Sequence, residues 1–361
     1  MTRTTTHHRR GTRGTWTLAA VVAGALALAG CAGAEPVEQP EPVVLGPTIV
    51  PDKGPVPTPS IPPVWPLTGV AGELVERPAL AVKIENTSAA RPQTGLEQAD
   101  VVWETIVEFQ VSRLIAVYHS QVPKEVGPIR SVRPMDPVII APTHGLLAFS
   151  GGQAGILALA QQSGLQLLSH DAGTPGMYRS HDRPAPHNVY GDPATFWGLA
   201  NASHQASPGE QFQFARTADK AAALVGGTPA TTLAFRLSAA SSPTWTWDAK
   251  SGTWLRSERD KPSSARSGQR LAAVNVVSIV AKHPATRYRA QGGAAVPTYE
   301  LVGTGAGTIA TGGKTIAVVW KKDAQDQPLR LFLPDGTPAL LAPGNTWVEL
   351  VPKGDGSLTV K

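Results

Sequence analysis

The segment RLIAVYHSQVPKEVGPIRSVR, residues 113–133, carries the features that decide how this chain is organised. It begins as an apolar, β-branched run, which is typical of a buried strand, and then enters a turn rich in proline and glycine. The turn brings three arginines into one neighbourhood: Arg113, Arg130 and Arg133. Because planar guanidinium groups pair well with carboxylates and phosphates, the segment predicts a polar site at the end of a strand.

The preceding segment DVVWETIVEF, residues 100–109, predicts a strand that carries several carboxylates. Side chains alternate along a strand, so we expect Asp100, Glu104 and Glu108 on one face. Burying carboxylates without partners costs free energy, so they must face water, a metal ion or the arginines of the next strands. Three interpretations remain open: a structural carboxylate–guanidinium network, a ligand or catalytic site built from the same groups, and a solvated sheet face.

The loop SHDRPAPHNVY, residues 180–190, is the third polar segment, and its two prolines restrict the backbone. His187 is the best candidate for a general acid or base, because imidazole titrates near neutral pH. The candidate catalytic groups are therefore Glu104, Glu108 and His187. We expect the ligand to be bound by Arg113, Arg130, Ser131, Arg133 and Asn188.

Several kinds of chemistry have no motif in this sequence. The chain contains neither G-x-S-x-G nor H-E-x-x-H, and its single cysteine, Cys31, lies near the N-terminus. A metal site needs two or three ligands that converge, for example His187 with Asp171, Glu104 or Glu108, and no such spacing is evident. We therefore expect no metal ion and no cofactor.

Residues 1–30 predict a lipoprotein signal peptide. Four arginines precede an apolar run, residues 16–28, that is too short to span a bilayer. The run ends in LAGC, residues 28–31, which resembles the bacterial lipobox, where the cysteine thiol receives a diacylglycerol. We expect Cys31 to anchor the protein in the cell membrane on its extracytoplasmic face; the alternative is an ordinary secretory signal with a chance cysteine.

Residues 31–67 predict a proline-rich tether, because proline recurs every few residues and no apolar periodicity is present. Such a run favours extended polyproline II, which spans about 3.1 Å per residue. The four arginines of the leader account for most of the formal net charge of +5. The rest of the chain is nearly neutral, so we expect no nucleic-acid partner.

The remaining residues predict two domains. Residues 68–210 alternate strands with short helices and predict an α/β (α+β) domain with a mixed sheet, in which residues 153–168 form one core helix. Residues 211–361 predict a mostly antiparallel β domain, or an extension of the first sheet. A hairpin is expected over residues 244–258, and its tryptophans fit core packing as well as contact with carbohydrate.

Several of these segments resemble the YerB-like bacterial lipoproteins, a family of unknown function. The resemblance covers most of residues 78–355, and its most specific parts are VGPIRSVRP, RPAPHNVY and the run from ALAVKIEN to IAVYHS. In one departure, the Ser-rich KPSSARSGQ, residues 261–269, stands where the family tends to carry a His/Asp-containing segment. The resemblance implies a two-domain lipoprotein without an established activity. The positions that match the family's polar motifs are Glu104, Glu108, Arg113, Arg130, Arg133, His187 and Asn188.

The sequence therefore favours a lipid-anchored, extracytoplasmic protein with an Arg/Glu/His cleft. Its expected ligand is an anionic component of the cell envelope, such as a wall glycopolymer or a peptidoglycan fragment. Two alternatives remain: an envelope hydrolase that uses the same cleft, and a structural or assembly lipoprotein that binds no small molecule.

Overall fold

One large sheet organises the part of the chain that the structure describes. The computed structural model describes residues 62–361, so the predicted signal peptide (1–30), Cys31 and most of the predicted tether (31–67) lie outside the described residues. The strands are, in chain order, β1 (Leu80–Glu85), β2 (Val101–Ile106), β3 (Ser112–Tyr118), β4 (Leu146–Phe149), β5 (Gln166–Ser169), β6 (Met177–Arg179), β7 (Val189–Gly191), β8 (Thr228–Pro229), β9 (Thr232–Arg236), β10 (Pro243–Asp248), β11 (Thr253–Glu258), β12 (Lys261–Pro262), β13 (Ala272–Ala273), β14 (Asn275–Ala281), β15 (Ala285–Arg289), β16 (Ala295–Pro297), β17 (Gly303–Thr311), β18 (Lys314–Lys322), β19 (Arg330–Phe332), β20 (Thr346–Pro352) and β21 (Ser357–Val360).

The large sheet is mixed and contains strands from both halves of the chain. Its hydrogen-bonded order is β19–β18–β17–β14–β20–β2–β3–β1–β4–β5, and β8 pairs with β18. Strands β2 and β20 are parallel neighbours, so the C-terminal half extends the sheet of the N-terminal half. The mixed sheet, the short helices and the many antiparallel pairs of the C-terminal half confirm the predicted fold class.

The two faces of the large sheet have separate apolar cores, because side chains alternate along each strand. The helices are short: α1 (Met135–Ile140), α2 (Ala154–Gln161), α3 (Pro193–Gly198) and α4 (Ala222–Gly226). Helices α1 and α2 pack on one face, where Trp103 and Ile115 are buried. None of the helices in residues 62–361 is long and apolar enough to cross a membrane.

A smaller antiparallel sheet covers the opposite face. Its order is β12–β11–β10–β9–β21, with β13 paired to β11, and β10 and β11 form the hairpin expected over residues 244–258. Trp245 and Trp254 of this hairpin are fully buried against the large sheet. Core packing therefore explains these two tryptophans, which are not accessible to a carbohydrate. Two further pairs, β6–β7 and β15–β16, form small hairpins.

The packed part of the chain begins earlier than the sequence predicts. The tether was expected to continue to residue 67, yet Leu67 is fully buried and Trp65 nearly so. The Gly344 N–H also donates to the Thr68 carbonyl (2.8 Å), which ties this segment to the C-terminal half of the chain. The predicted tether is therefore too long at its C-terminal end, because burial of the two large apolar side chains favours a packed conformation.

The helix predicted over residues 153–168 is only half as long in the structure. Helix α2 ends at Gln161, and residues 166–169 form β5 instead, paired in parallel with β4. Gly164 adopts a left-handed conformation (φ +75°), which ends the helical path at little steric cost. The apolar residues beyond it then fit a strand as well as a helix, so their spacing alone could not distinguish the two.

Candidate functional site

A polar cleft of about 570 Å³ lies where several parallel strands end. Strands β1, β4 and β5 are parallel, and their carboxyl ends supply Glu85, Gly152 and Asp171 to the cleft. Side chains from such strand ends converge, which makes this edge of a sheet a common place for binding sites. The cleft is lined by Glu85, Thr87, Glu108, Phe109, Val111, Arg113, Arg130, Ser131, Arg133, Gly152, Gln153, Asp171, Pro186, His187, Ala290 and Gln291.

The structure brings together most of the residues that the sequence predicts for the site. The turn that carries the arginines is fixed between β1 and β4, since the Arg130 N–H donates to the Lys83 carbonyl (2.8 Å) and the Ser150 N–H donates to the Arg130 carbonyl (2.9 Å). The predicted residues that line the cleft are Glu108, Arg113, Arg130, Ser131, Arg133 and His187.

Glu108 holds two of the arginines in place. It accepts hydrogen bonds from Arg113 Nη2 (3.1 Å) and Arg133 Nε (2.6 Å), and Arg133 Nη2 makes a further short contact. Burial raises the pKa of Glu108, but the two guanidinium groups have the larger combined effect and lower the pKa to about 2. One carboxylate thus serves two buried cations, and burial together with the nearby Arg133 lowers the pKa of Arg113 to about 9.

A second ion pair lies beneath the cleft. Lys83 and Asp136 are both fully buried, with the Lys83 Nζ 2.7 Å from the Asp136 carboxylate and 3.1 Å from the Thr105 hydroxyl. Burial lowers the pKa of Lys83 to about 8, and Asp136 only partly opposes this effect. Asp136 also accepts a hydrogen bond from the Arg133 N–H (2.7 Å), so the pair supports the arginine turn from below.

Arg130 and His187 form the accessible part of the cleft, and both contact the buried carboxylate of Glu85. The Nδ1 of His187 lies 2.9 Å from Glu85 Oε1, while the Nε of Arg130 lies 3.4 Å from Glu85 Oε2. Both Arg130 Nε and Glu85 Oε2 lack a hydrogen-bond partner within residues 62–361. The side chains of Arg130 and His187 are 22% and 24% exposed, respectively. The cleft therefore contains a guanidinium group whose hydrogen-bonding capacity the described residues leave largely unused.

Glu104 lies elsewhere, and the prediction that it shares one face with Glu108 is wrong. Strand β2 ends at Ile106, and the chain then turns through Phe109 and Gln110, both left-handed (φ +60° and +59°). Glu104 is fully buried on the face that carries the smaller sheet, where it accepts hydrogen bonds from Arg256 Nη2 (2.9 Å) and Asn86 Nδ2 (3.1 Å). This position excludes Glu104 from the cleft.

Asn188 is also outside the cleft, although it follows His187 directly. Its Oδ1 accepts a hydrogen bond from Arg179 Nη1 (2.8 Å), and its Nδ2 donates to the Ser180 carbonyl (2.9 Å). These bonds close the base of the loop 180–188. Asn188 therefore positions the loop that carries His187, and its amide group is already satisfied within the protein.

Glu85 and Lys83 belong to the site or lie beneath it, although no motif in the sequence points to them. Both lie at alternate positions of the otherwise apolar β1, whose six residues are all buried. Charged residues in a fully buried strand need partners, so this pattern was the available signal. Within the described ranges, no group of three or more His, Cys, Asp or Glu side chains is arranged to hold a metal ion.

Comparisons with known proteins agree with this architecture. Residues 67–207 match the family described as "Protein of unknown function (DUF3048) N-terminal domain", and residues 233–348 match its C-terminal domain. The chain belongs to this YerB-like, two-part family of unknown function. The resemblance seen in the sequence is thus confirmed.

The YerB protein of Bacillus subtilis is similar to this chain in sequence over a short segment and in fold over most of its length. The protein described as "Putative lipoprotein YerB" (strain 168) is 47% identical over 70 residues, which cover 19% of this chain and 21% of the relative. The chain therefore matches about a fifth of that relative's length. The crystal structure of the YerB protein has a TM-score of 0.69 at 23% identity and covers 82% of this chain and 99% of its own, so the YerB-like fold is shared.

Proposed function

We propose that this protein binds an anionic ligand of the cell envelope, a wall glycopolymer or a peptidoglycan fragment, in the cleft around Arg130. The observation that carries this proposal is the guanidinium of Arg130, which is 22% exposed and donates no side-chain hydrogen bond within residues 62–361: its buried Nε faces Glu85, and its Nη groups are left for a ligand. A carboxylate or phosphate of the ligand would supply the missing bonds. Such charge-assisted hydrogen bonds are among the stronger polar interactions of proteins.

The arrangement around Arg130 favours an anion over a cation. Arg113 and Arg133 share the single carboxylate of Glu108, and Glu85 is shared between Arg130 and His187. The third carboxylate that lines the cleft, Asp171, is 66% exposed, so solvent screens its charge and it compensates the arginines less. Arg113 and Arg133 are already fixed by Glu108 and by the Ser131 and Val132 carbonyls, so binding would order few additional side chains. Preorganisation of this kind reduces the entropic cost of association.

The cellular location is part of the proposal. The lipobox-like LAGC at residues 28–31 and the proline-rich residues that follow support a lipid anchor at Cys31. The similar YerB protein carries the description "Putative lipoprotein", which supports the same assignment. We propose that the anchor holds the protein at the membrane on its extracytoplasmic face, where envelope polymers are within reach.

Replacing Arg130 with glutamine tests the binding function. The full chain, purified in detergent, is expected to melt about 5 °C higher in the presence of a saturating anionic muropeptide or phosphorylated sugar. The Arg130→Gln variant should lose this shift, because the neutral amide cannot replace the charged guanidinium group. Arg216→Gln, an exposed arginine outside the cleft, is the matched control and should keep the full shift. Equal shifts in both variants would remove Arg130 from the site.

The second candidate function is an envelope hydrolase, favoured by the Glu85–His187 pair. A buried carboxylate that holds imidazole Nδ1 at 2.9 Å orients the ring and leaves Nε2 for proton transfer. Wild-type protein incubated with purified peptidoglycan would then release soluble fragments, and His187→Gln would reduce the release at least about a hundredfold while retaining binding. If the wild type releases nothing, the hydrolase is rejected and the binding function is unaffected.

A further inference from the structure

An exposed aromatic side chain, Phe109, separates the cleft from a second depression. Phe109 is 62% exposed, which is unusual for a large apolar side chain beside a polar cleft. It lines both the cleft and a neighbouring depression of about 450 Å³, to which Arg236, Ser238, Pro297 and Asp355 also contribute. The two hollows therefore meet at this ring.

The backbone holds Phe109 in place at a conformational cost. Phe109 and Gln110 are consecutive residues with a left-handed backbone, which is sterically unfavourable for residues other than glycine. The turn is fixed from outside, since the Ser238 hydroxyl donates to the Gln110 carbonyl (2.6 Å) and the Ala239 N–H donates to the Gln110 side chain (3.2 Å). A turn that only reversed the chain would be less strained with glycine at these positions.

The second depression contains a further accessible guanidinium group. Arg236 is exposed, and its one side-chain hydrogen bond within the described residues is donated by Nη1 to the Asp355 carbonyl (3.3 Å). His283 lies at the floor, where its Nε2 is 3.0 Å from the Ile106 carbonyl, so it is already engaged within the protein. A phenyl ring thus stands between two accessible arginines, Arg130 on one side and Arg236 on the other.

We propose that the cleft and the second depression form one groove for a linear anionic glycan. One acidic group binds Arg130, the apolar face of a sugar ring packs on Phe109, and the next part of the chain reaches Arg236. This inference rests on the proposed binding function and names its ligand class. A sugar suits the site because one face of its ring is apolar while its edge carries hydroxyl groups for the polar walls.

An acidic peptide fits the same groove less well. Extended peptides gain much of their affinity from backbone hydrogen bonds to an open strand edge. Most of the lining comes instead from strand ends and turns, including the ends of β2, β9 and β20. A glycan needs no such edge, since its contacts are ring faces, hydroxyl groups and acidic groups.

Titration with oligogalacturonates of one, two, four and six sugars tests the groove, because each ring carries one carboxylate. By calorimetry with the full chain, the tetramer is expected to bind at least about tenfold more tightly than the monomer. Phe109→Ala should remove most of this gain, so that the tetramer binds the variant little more tightly than the monomer does. Phe109→Tyr should retain the gain, and Val225→Ala, an exposed apolar residue (70%) elsewhere, should match the wild type.

The outcomes separate the groove from the binding function itself. If monomer and tetramer bind equally and Arg130→Gln abolishes the binding of both, the proposed groove is wrong and the proposed binding function stands. If no length binds the wild type, both are overturned. If hexaglutamate binds with the same sensitivity to Phe109→Ala while the glycans do not, the glycan assignment is wrong and an acidic peptide takes its place.

Discussion

Replacing Arg256 with methionine is expected to destabilise the folded protein by roughly 3–5 kcal/mol. Arg256 is buried between the two sheets, where its Nη2 lies 2.9 Å from Glu104 and 3.0 Å from Glu258. Burial lowers the pKa of Arg256, but the surrounding carboxylates have the larger combined effect, so the pKa lies above its usual value. Removal of the cation leaves these carboxylates buried without their counter-charge, which is the costly form of a broken ion pair.

Glu349 belongs to the same buried cluster. It is fully buried beside Glu104, and one of its oxygens accepts a hydrogen bond from Trp245 Nε1 (2.9 Å). Burial and the charge of Glu104 raise the pKa of Glu349 well above its usual value. Arg256 therefore stands beside more acidic groups than a single ion pair would provide, and its loss affects all of them.

Urea unfolding followed by tryptophan fluorescence at pH 7 measures this effect. Arg256→Met should unfold at a much lower urea concentration than the wild type, whereas Arg216→Met, at an exposed position, should change stability by no more than about 0.5 kcal/mol. Adding Glu104→Gln to the Arg256 variant should restore part of the stability, because it removes one uncompensated charge. An Arg256 variant with the wild-type midpoint would show that the network contributes nothing.

Replacing Glu108 with glutamine is expected to cost about 3 kcal/mol at neutral pH, since its pKa is lowered from 4.5 to about 2 in the folded state. A lowered carboxyl pKa means that the unfolded chain binds the proton more readily than the folded protein. The stabilisation from Glu108 is therefore complete above pH 4.5 and is lost as pH falls towards 2. Glutamine also leaves Arg113 and Arg133 buried without a counter-charge.

Unfolding experiments between pH 2 and pH 7 distinguish this prediction from a general loss of packing. The wild type should lose stability steeply below pH 4.5, and Glu108→Gln should show a shallower loss over the same interval. Glu300→Gln removes an exposed surface ion pair with Lys282 and should change stability little at any pH. Parallel curves for the wild type and Glu108→Gln would contradict the assigned role of Glu108.

Local patterns in the sequence were enough to predict the strands that build the cleft. The apolar runs of β1 and β3 and the proline–glycine turn before Arg130 are short-range signals, and they gave both the mixed sheet and the arginine cluster. The turn after Ile106 could not be predicted from the sequence, because Phe109 and Gln110 are not residues that favour a left-handed backbone. Without that turn, strict alternation placed Glu104 and Glu108 on one face.

Long-range pairing accounts for the other differences. Glu85 and His187 meet although 102 residues separate them, and β2 pairs with β20 from the far end of the chain. A single sequence contains no local signal for such contacts. The polar alternation within β1 did indicate that Lys83 and Glu85 need partners, but it could not identify Asp136, Arg130 or His187 as those partners.

Co-sedimentation with cell walls purified from Bacillus subtilis tests the central claim most directly. The full chain should sediment with intact walls, and acid extraction of their anionic polymers should reduce this binding at least about tenfold. Arg130→Gln should sediment as poorly with intact walls as the wild type does with extracted walls, while Arg216→Gln should behave like the wild type. Equal sedimentation of Arg130→Gln and the wild type with intact walls would contradict an anion-binding cleft at Arg130.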